Sequence, residues 1–136
     1  MQYNCALTVD CAVFSGEGVV LIKRKNPPFR GAYALPGGFV EEDETVEEAC
    51  IREALEETGL AIQNLKLVGV YSTPGRDPRG RTVSVAFLAE ADLDFLQAGD
   101  DAAEAEVVKD WEDTDLAFDH KKIISDALKI KGAPDN

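Results

Sequence analysis

The chain has 136 residues and a formal net charge of −12 at pH 7, enough length for one hydrophobic core but not for two ordinary domains. The acidic balance argues against nucleic-acid binding as the main role, because phosphate backbones are held by positively charged surfaces. The sequence has neither a signal peptide nor an apolar run of about 18 residues, so we expect a cytoplasmic protein without a membrane span. Its three cysteines form no C-x-x-C pair and are expected to be reduced thiols, mostly buried.

Two strands are expected at the start of the chain. Residues 3–14 are rich in β-branched and aromatic side chains and alternate enough to predict the first strand. The segment 15–18 is a glycine-rich turn, and residues 19–24 are the returning strand of the predicted hairpin.

A basic cluster ends the second strand. Lys23, Arg24 and Lys25 are followed by Pro27-Pro28, which interrupts a regular ladder. The cluster either solvates a strand end or belongs to a phosphate site, in which case Arg24 or Arg30 contacts the phosphate.

A short strand is predicted over residues 32–40, with a break at Pro36. The glycine pair Gly37-Gly38 allows backbone conformations that are closed to other residues. We therefore expect a tight turn here, leading into the next helix.

An acidic helix follows. Thr45 and Glu48 have the spacing of a capping box, and Gly59 is the residue that can turn left-handed just past the helix end. On a helical wheel, three glutamates at i, i+3 and i+4 share one arc, namely Glu53, Glu56 and Glu57. The adjacent apolar arc is expected to pack against a sheet and comprises Cys50, Ile51, Ala54 and Leu55.

The three glutamates have two interpretations. An exposed acidic face costs only about 0.2–0.5 kcal/mol per like-charged pair, so simple solvation is permitted. If the face is partly enclosed, carboxylates about 5 Å apart repel by roughly 3 kcal/mol and favour a cation or a proton. Hard divalent ions such as Mg²⁺ bind oxygen ligands of this kind.

Strands are predicted at residues 65–72 and 82–90, with a loop rich in arginine, proline and glycine between them. The loop is either a plain hairpin connection or a phosphate site. Arg76 and Arg79, held by neighbouring prolines, are suited to bidentate phosphate contacts, with Asp77 between them.

The last third of the sequence predicts a loop at 92–103, a strand at 103–111 and a closing helix with Asp119 as its N-cap. His120, the single histidine, is either a residue of the first helical turn, which is the favoured interpretation, or a catalytic base. Residues 133–136 are expected to form a flexible tail. The apolar stripe of the helix is expected at Ile123, Ile124, Ala127 and Leu128.

The spacing around the acidic helix is specific. Gly38 is followed after five residues by Glu44, and after seven more by the stretch Arg52–Leu60. This arrangement resembles the Nudix box, G-x5-E-x7-R-E-U-x-E-E-x-G-U with U a bulky aliphatic residue, and only Ala54 is smaller than the pattern expects. The resemblance implies an α/β protein with the Nudix fold, an α/β/α sandwich with a mixed central sheet, formed by one domain over residues 1–132.

The resemblance also implies a divalent cation, Mg²⁺ with Mn²⁺ as a possible substitute. The metal ligands it implies are Gly38, Glu53, Glu56, Glu57 and Glu104. The last of these is the favoured acidic residue outside the box, ahead of Glu106 and Asp101. The implied catalytic residues are the four glutamates and Arg52, which is expected to orient ligands by pairing with Glu48 or Glu56. Glu44 is expected to support the loop or an outer-shell water.

Nudix proteins hydrolyse nucleoside diphosphates linked to another group. The loop at 75–80, together with Pro74, resembles a segment of ADP-ribose pyrophosphatases in this family. The implied reaction is hydrolysis of ADP-ribose to AMP and ribose 5-phosphate. The expected substrate-binding residues are Arg24, Arg30, Arg76, Asp77 and Arg79.

Two alternatives stay open. The chain could cleave oxidised nucleoside triphosphates or dinucleoside polyphosphates in a housecleaning role. It could also be a non-catalytic ADP-ribose sensor, although such sensors have a DNA-binding extension and this sequence shows no basic helix-turn-helix pattern. In each case the expected partner is a small-molecule nucleotide, with no nucleic acid and no membrane; a homodimer is possible by analogy with relatives.

Overall fold

The computed structural model describes residues 4–96 and 104–132, and these contain eight strands and two α-helices. The predicted tail at 133–136 and residues 97–103 of the predicted loop at 92–103 lie outside the described residues. No described helix is long and apolar enough to cross a membrane. The strands are β1 (Ala6–Ala12), β2 (Phe14–Ser15), β3 (Gly18–Lys23), β4 (Tyr33–Ala34), β5 (Gly37–Phe39), β6 (Gln63–Tyr71), β7 (Thr82–Glu90) and β8 (Glu104–Val108), and the helices are α1 (Val46–Thr58) and α2 (His120–Lys131).

The central sheet is mixed and has the strand order β5-β1-β7-β6. Strand β1 is antiparallel to β5 and parallel to β7, and β7 is antiparallel to β6. Successive residues of β7 point to opposite faces: Phe87 packs in a core with α1, and Ala86 packs in a second core with α2. The helices therefore cover opposite faces of the sheet, as the expected α/β/α sandwich requires.

The predicted first hairpin is confirmed at its turn, where β2 pairs antiparallel with β3, but most of its predicted first strand pairs elsewhere. The segment 3–14 is divided at Val13 into β1 in the central sheet and β2 in a second sheet, where β2 pairs with β3. Strand β3 cannot pair with β1, because β5 and β7 already occupy both edges of β1. The second sheet is completed by β4 and β8, both paired with β3.

Both ends of α1 are as predicted. The Thr45 side chain accepts a bond from the Glu48 amide, the Glu48 carboxylate accepts one from the Thr45 amide, and Gly59 follows the helix in the left-handed conformation at φ 78°. The predicted apolar arc is partly wrong, because Ile51 and Leu55 are 42% and 52% exposed. The buried face consists of the smaller residues Ala49, Cys50, Ala54 and Thr58.

This shift of the buried face matters for the acidic residues. A face made of small side chains lets α1 lie close to β1 and β5, and the helix is rotated relative to the expected packing. As a result Glu53 and Glu57 become half-buried next to β5, whereas Glu56 stays exposed.

Helix α2 begins at the predicted position and buries Ile123, Ile124 and Ala127. Leu128 is 39% exposed, so it belongs to the margin of the stripe. Asp119 occupies the N-cap position without making a capping hydrogen bond, because its carboxylate accepts two bonds from the Arg76 guanidinium instead.

We expect Thr45→Ala to destabilise the protein by about 1 kcal/mol, since it removes the acceptor for the Glu48 amide. Urea unfolding followed by circular dichroism measures the change. The matched control is Glu47→Ala, an exposed residue of the same helical turn outside the capping box, which should stay within about 0.5 kcal/mol of wild type. Equal effects of the two substitutions would contradict the capping role.

Candidate active site

A cavity of about 180 Å³ opens between β1, β5, α1 and the loop that joins β6 to β7. It brings together side chains from both ends of the chain. Its lining comprises Thr8, Val9, Asp10, Ile22, Arg24, Ala34, Leu35, Gly37, Gly38, Phe39, Glu57, Arg76, Asp77, Arg79, Phe118 and His120.

Glu57 is the box carboxylate that lines this cavity. Its Oε1 accepts a bond of 2.7 Å from the Gly37 amide. Burial raises the pKa of Glu57 to about 8, and the negative charges of Glu53 and Asp10 contribute to the increase, while the Gly37 bond and Arg24 oppose it. Burial also raises the pKa of Glu53, against the opposing effect of the bond from Arg52. This wall of the site therefore favours a bound proton or cation.

Arg52 holds the acidic residues of the box together. Its guanidinium donates to both oxygens of Glu44, at 2.6 and 2.9 Å, and to Glu53 at 2.6 Å. Further bonds reach Glu56 at 3.3 Å and the Phe39 carbonyl at 3.0 Å. This geometry suits the expected orienting role.

The partners of the box residues are partly those expected. Of the two predicted partners of Arg52, Glu56 is in contact and Glu48 is engaged in the helix cap. Glu44 also accepts a bond from the Glu41 amide at 2.9 Å, so it supports the loop before the helix as predicted.

The expected tight turn at Gly37-Gly38 is wrong. Both residues lie in β5, and neither has a positive φ. Glycine is required there by close approach instead: a Cβ at Gly37 would lie 2.0 Å from the Val9 carbonyl oxygen. A Cβ at Gly38 would lie 2.7 Å from the Glu53 carboxylate. The missing side chains thus create the space in which a carboxylate meets the backbone.

The donor chemistry of this wall fits a hard divalent cation. Glu53 and Glu57 are half-buried carboxylates with raised pKa values, and such oxygens are the ligands that Mg²⁺ and Mn²⁺ prefer. In the described part of the chain no three His, Cys, Asp or Glu side chains form a ready-made metal site. In this arrangement Arg52 donates a hydrogen bond to Glu53, and the Gly37 amide donates one to Glu57. These bonds partly offset the negative charge of the two carboxylates.

A buried polar group that the sequence interpretation missed lies at the cavity floor. Asp10 on β1 accepts a bond from the Ser84 hydroxyl and lies 3.2 Å from His120 Nε2. Burial alone would raise the pKa of Asp10, but His120, Ser84 and Arg76 together lower it below its ordinary value. The sequence signal was a single carboxylate within the otherwise apolar run Val9–Phe14.

The two predicted phosphate-binding arginines of the loop have different surroundings. The side chain of Arg76 is 5% exposed, and its guanidinium is bonded to Asp119 and Thr82. Asp77 is buried and accepts three bonds from Arg79, one from its amide and two from its guanidinium. Arg76 and Asp77 therefore hold the loop, and Arg79 is the more exposed of the two arginines.

Two cations and an aromatic ring also line the cavity. The guanidinium carbons of Arg24 and Arg79 lie 5.1 and 5.7 Å from the centre of the Phe118 ring. Burial lowers the pKa of Arg24, and the positive charge of Arg79 contributes. Arg30 is exposed and does not line the cavity.

The sequence and the fold agree with one family. A model of the NUDIX domain matches residues 6–129. The chain belongs to the Nudix family.

Several Nudix relatives resemble the chain over most of its length. An ADP-ribose pyrophosphatase of Methanocaldococcus jannaschii is 52% identical over 93% of this chain and 75% of the relative. An ADPR responsive transcriptional repressor of Acinetobacter baylyi is 34% identical over 90% of this chain, which spans 52% of that repressor. The crystal structure of the NUDIX domain of Shewanella oneidensis NrtR with ADP ribose superposes with a TM-score of 0.88, at 29% identity, covering 96% of this chain and 90% of that one.

Some predicted Nudix site residues are not tested by this geometry. Glu104 begins β8 opposite Lys23, and its side chain is outside what the structure describes. Asp101 is outside the described residues, and Glu106 lies in β8 away from the cavity lining. His120 is in the first helical turn as predicted, but it is buried and lines the cavity.

The raised pKa of Glu57 predicts a pH-dependent stability in the metal-free protein. The folded carboxyl keeps its proton up to about pH 8, whereas the unfolded one loses it near 4.5. Its favourable contribution is therefore complete below pH 4.5 and is lost as the pH rises through 8. We expect Glu57→Gln, which keeps an acceptor for Gly37, to be more stable than wild type by roughly 2–4 kcal/mol at pH 8.5 but not at pH 4.5.

Urea unfolding in excess EDTA at the two pH values measures this difference. Glu47→Gln, on the exposed side of the same helix, controls for removal of one negative charge. A stability difference between Glu57→Gln and wild type that does not change with pH would contradict the raised pKa.

Proposed function

We propose that this Nudix protein hydrolyses ADP-ribose to AMP and ribose 5-phosphate with the help of a divalent cation, Mg²⁺ or Mn²⁺. The observation that carries the proposal is the 52% identity to an ADP-ribose pyrophosphatase over 93% of the chain. The cavity supports it, since its lining combines the box carboxylate Glu57 with the two arginines Arg24 and Arg79.

Glu53, Glu56 and Glu57 would hold the cation together with the Gly38 carbonyl, and Glu104 stays a candidate for a further ligand or the base. A divalent ion bound there supplies a water of lowered pKa and neutralises phosphate charge. Arg52 restrains Glu53 and Glu56 through its guanidinium. Gly37 fixes one oxygen of Glu57, which leaves the other oxygen available.

Arg24 and Arg79 are the proposed diphosphate ligands among the predicted arginines. They lie near each other on Phe118, and the pKa of Arg24 is lowered by its burial and by Arg79. An anion between them relieves that repulsion. Arg76 and Asp77 have a supporting role in the proposal, because Arg76 is bonded to Asp119 and Asp77 positions Arg79.

The sensor alternative has a specific observation in its favour, the similarity to an ADPR responsive repressor and to an ADP-ribose-bound NrtR domain. The full set of box carboxylates in this chain favours hydrolysis over sensing. A homodimer and a cytoplasmic location stay predictions from the sequence, and sedimentation velocity would test the first.

A substrate panel tests the activity. With Mg²⁺, ADP-ribose should yield AMP and ribose 5-phosphate, separated by ion-exchange chromatography, faster than oxidised deoxynucleoside triphosphates or dinucleoside polyphosphates. Much faster cleavage of either competitor class would favour the housecleaning function. Tight ADP-ribose binding without turnover would identify a sensor.

Glu56→Gln should reduce kcat by at least about 100-fold while leaving the melting temperature nearly unchanged. The side chain of Glu56 is 54% exposed, so its replacement disturbs little packing, but it removes a charged oxygen ligand. Glu47→Gln is the matched control for charge on the same helix. Near-normal turnover of Glu56→Gln would remove Glu56 from the metal site.

Arg79→Lys should raise the KM for ADP-ribose by about tenfold, because an ammonium cannot replace a bidentate guanidinium on a diphosphate. Arg30→Lys is the matched control, since Arg30 is exposed and outside the cavity lining. Steady-state kinetics measure both variants. A larger KM effect at Arg30 than at Arg79 would reverse the assignment.

A further inference from the structure

His120 has both ring nitrogens engaged inside the protein. Nδ1 accepts a hydrogen bond of 3.0 Å from the Leu35 amide. A backbone amide can only donate, so Nδ1 carries no proton and Nε2 carries the proton of the neutral ring. Nε2 lies 3.2 Å from Asp10 Oδ1, so the ring donates to this carboxylate. His120 is 4% exposed, and both of its ring nitrogens already have partners inside the protein.

Leu35 is the first residue of a short segment, Leu35–Gly37, whose backbone makes hydrogen bonds to three other elements. The Leu35 amide donates to His120 on α2, the Pro36 carbonyl accepts from the Cys11 amide on β1 at 2.8 Å, and the Gly37 amide donates to Glu57 on α1. Gly38 follows at once, against the Glu53 carboxylate. Leu35 is therefore separated by at most two residues from the backbone that contacts both half-buried box carboxylates.

The other side of the histidine is fixed to the sheet. Asp10 is buried on β1 and also accepts a bond from Ser84 on β7. Asp119, which precedes His120 in the chain, is bonded to Arg76 in the loop after β6. The start of α2 is thus held by two contacts, Asp119 with Arg76 and His120 with Asp10. From this position the His120 ring reaches the Leu35 amide.

We infer that His120 is a positioning residue: it sets the Leu35–Gly38 segment through its Nδ1 acceptor and thereby places Glu57 and Glu53 for the divalent cation. The inference rests on the proposed metal-dependent function. This role differs from both interpretations of His120 made from the sequence, a residue of the first helical turn and a catalytic base. Asp10 acts through His120: it accepts the Nε2 proton and so favours the tautomer in which Nδ1 is an acceptor.

The first test uses the wild-type protein and needs no catalysis. With ¹⁵N-labelled histidine, NMR should give an unprotonated, pyridine-type Nδ1 and a protonated Nε2 in the folded protein. The Leu35 amide should exchange slowly with solvent and show coupling to Nδ1. A protonated Nδ1 would overturn the inference.

The second test compares two replacements that each keep one half of the histidine. Asparagine places an acceptor near the Nδ1 position, and glutamine places a donor near the Nε2 position. His120→Asn should keep the Leu35 bond, whereas His120→Gln should leave the Leu35 amide without an acceptor. Lys129→Gln, an exposed change on the same helix, is the control for α2.

Mn²⁺ binding without nucleotide, measured by electron paramagnetic resonance, gives a readout that is independent of turnover. His120→Gln should bind Mn²⁺ about tenfold more weakly than wild type and show a similar decrease in kcat, with its KM for ADP-ribose within about threefold. His120→Asn should stay closer to wild type in both. Equal losses in the two variants, or a smaller loss in His120→Gln, would overturn the inference.

The two proposals fail in different ways. If wild-type protein binds Mn²⁺ but does not cleave ADP-ribose, and His120→Gln binds Mn²⁺ about tenfold more weakly, the substrate assignment fails and the positioning role stands. If wild type cleaves ADP-ribose and His120→Gln matches it in Mn²⁺ affinity and kcat, the positioning role fails and the substrate assignment stands.

Discussion

The site depends on carboxylates held where water cannot fully solvate them. Helix α1 packs through small residues such as Ala49 and Ala54, so it lies close to the sheet and brings Glu53 and Glu57 against β5. Gly37 and Gly38 have no side chain to prevent this approach. Burial then raises the pKa of both carboxyl groups, because their negative charge is poorly solvated there. A bound cation would stabilise that negative charge.

The remaining charges are arranged around that constraint. Arg52 compensates the box carboxylates on the helix surface, where it also joins the helix to Glu44 in the preceding loop. Arg24 and Arg79 supply positive charge in the same cavity that Glu57 lines. Carboxylates that attract a metal and arginines that attract phosphate suit a metal-bound diphosphate, even though the chain as a whole is strongly acidic.

Local features of the fold could be predicted well from the sequence. The capping box at Thr45 and the left-handed Gly59 were correct, as was β7 over residues 82–90, because each depends on neighbours a few residues apart. Contacts between residues far apart in the sequence, such as strand pairing, were harder to predict. The division of the first strand at Val13 and the exposure of Ile51 depend on which strands and faces are already occupied, and no spacing in the sequence contains that information.

The sequence by itself determined the family, the acidic helix and its ends, and the residue types from which a metal site could be built, because these follow from fixed spacings along one stretch. Only the tertiary structure decided that Asp10 and His120 meet beneath the cavity, that Arg76 is bonded to Asp119, and that Arg24 and Arg79 share Phe118. The physical reason is that hydrogen bonds and ring contacts act over a few ångströms in space. The residues that make these contacts are tens of positions apart in the chain, so folding must bring them together.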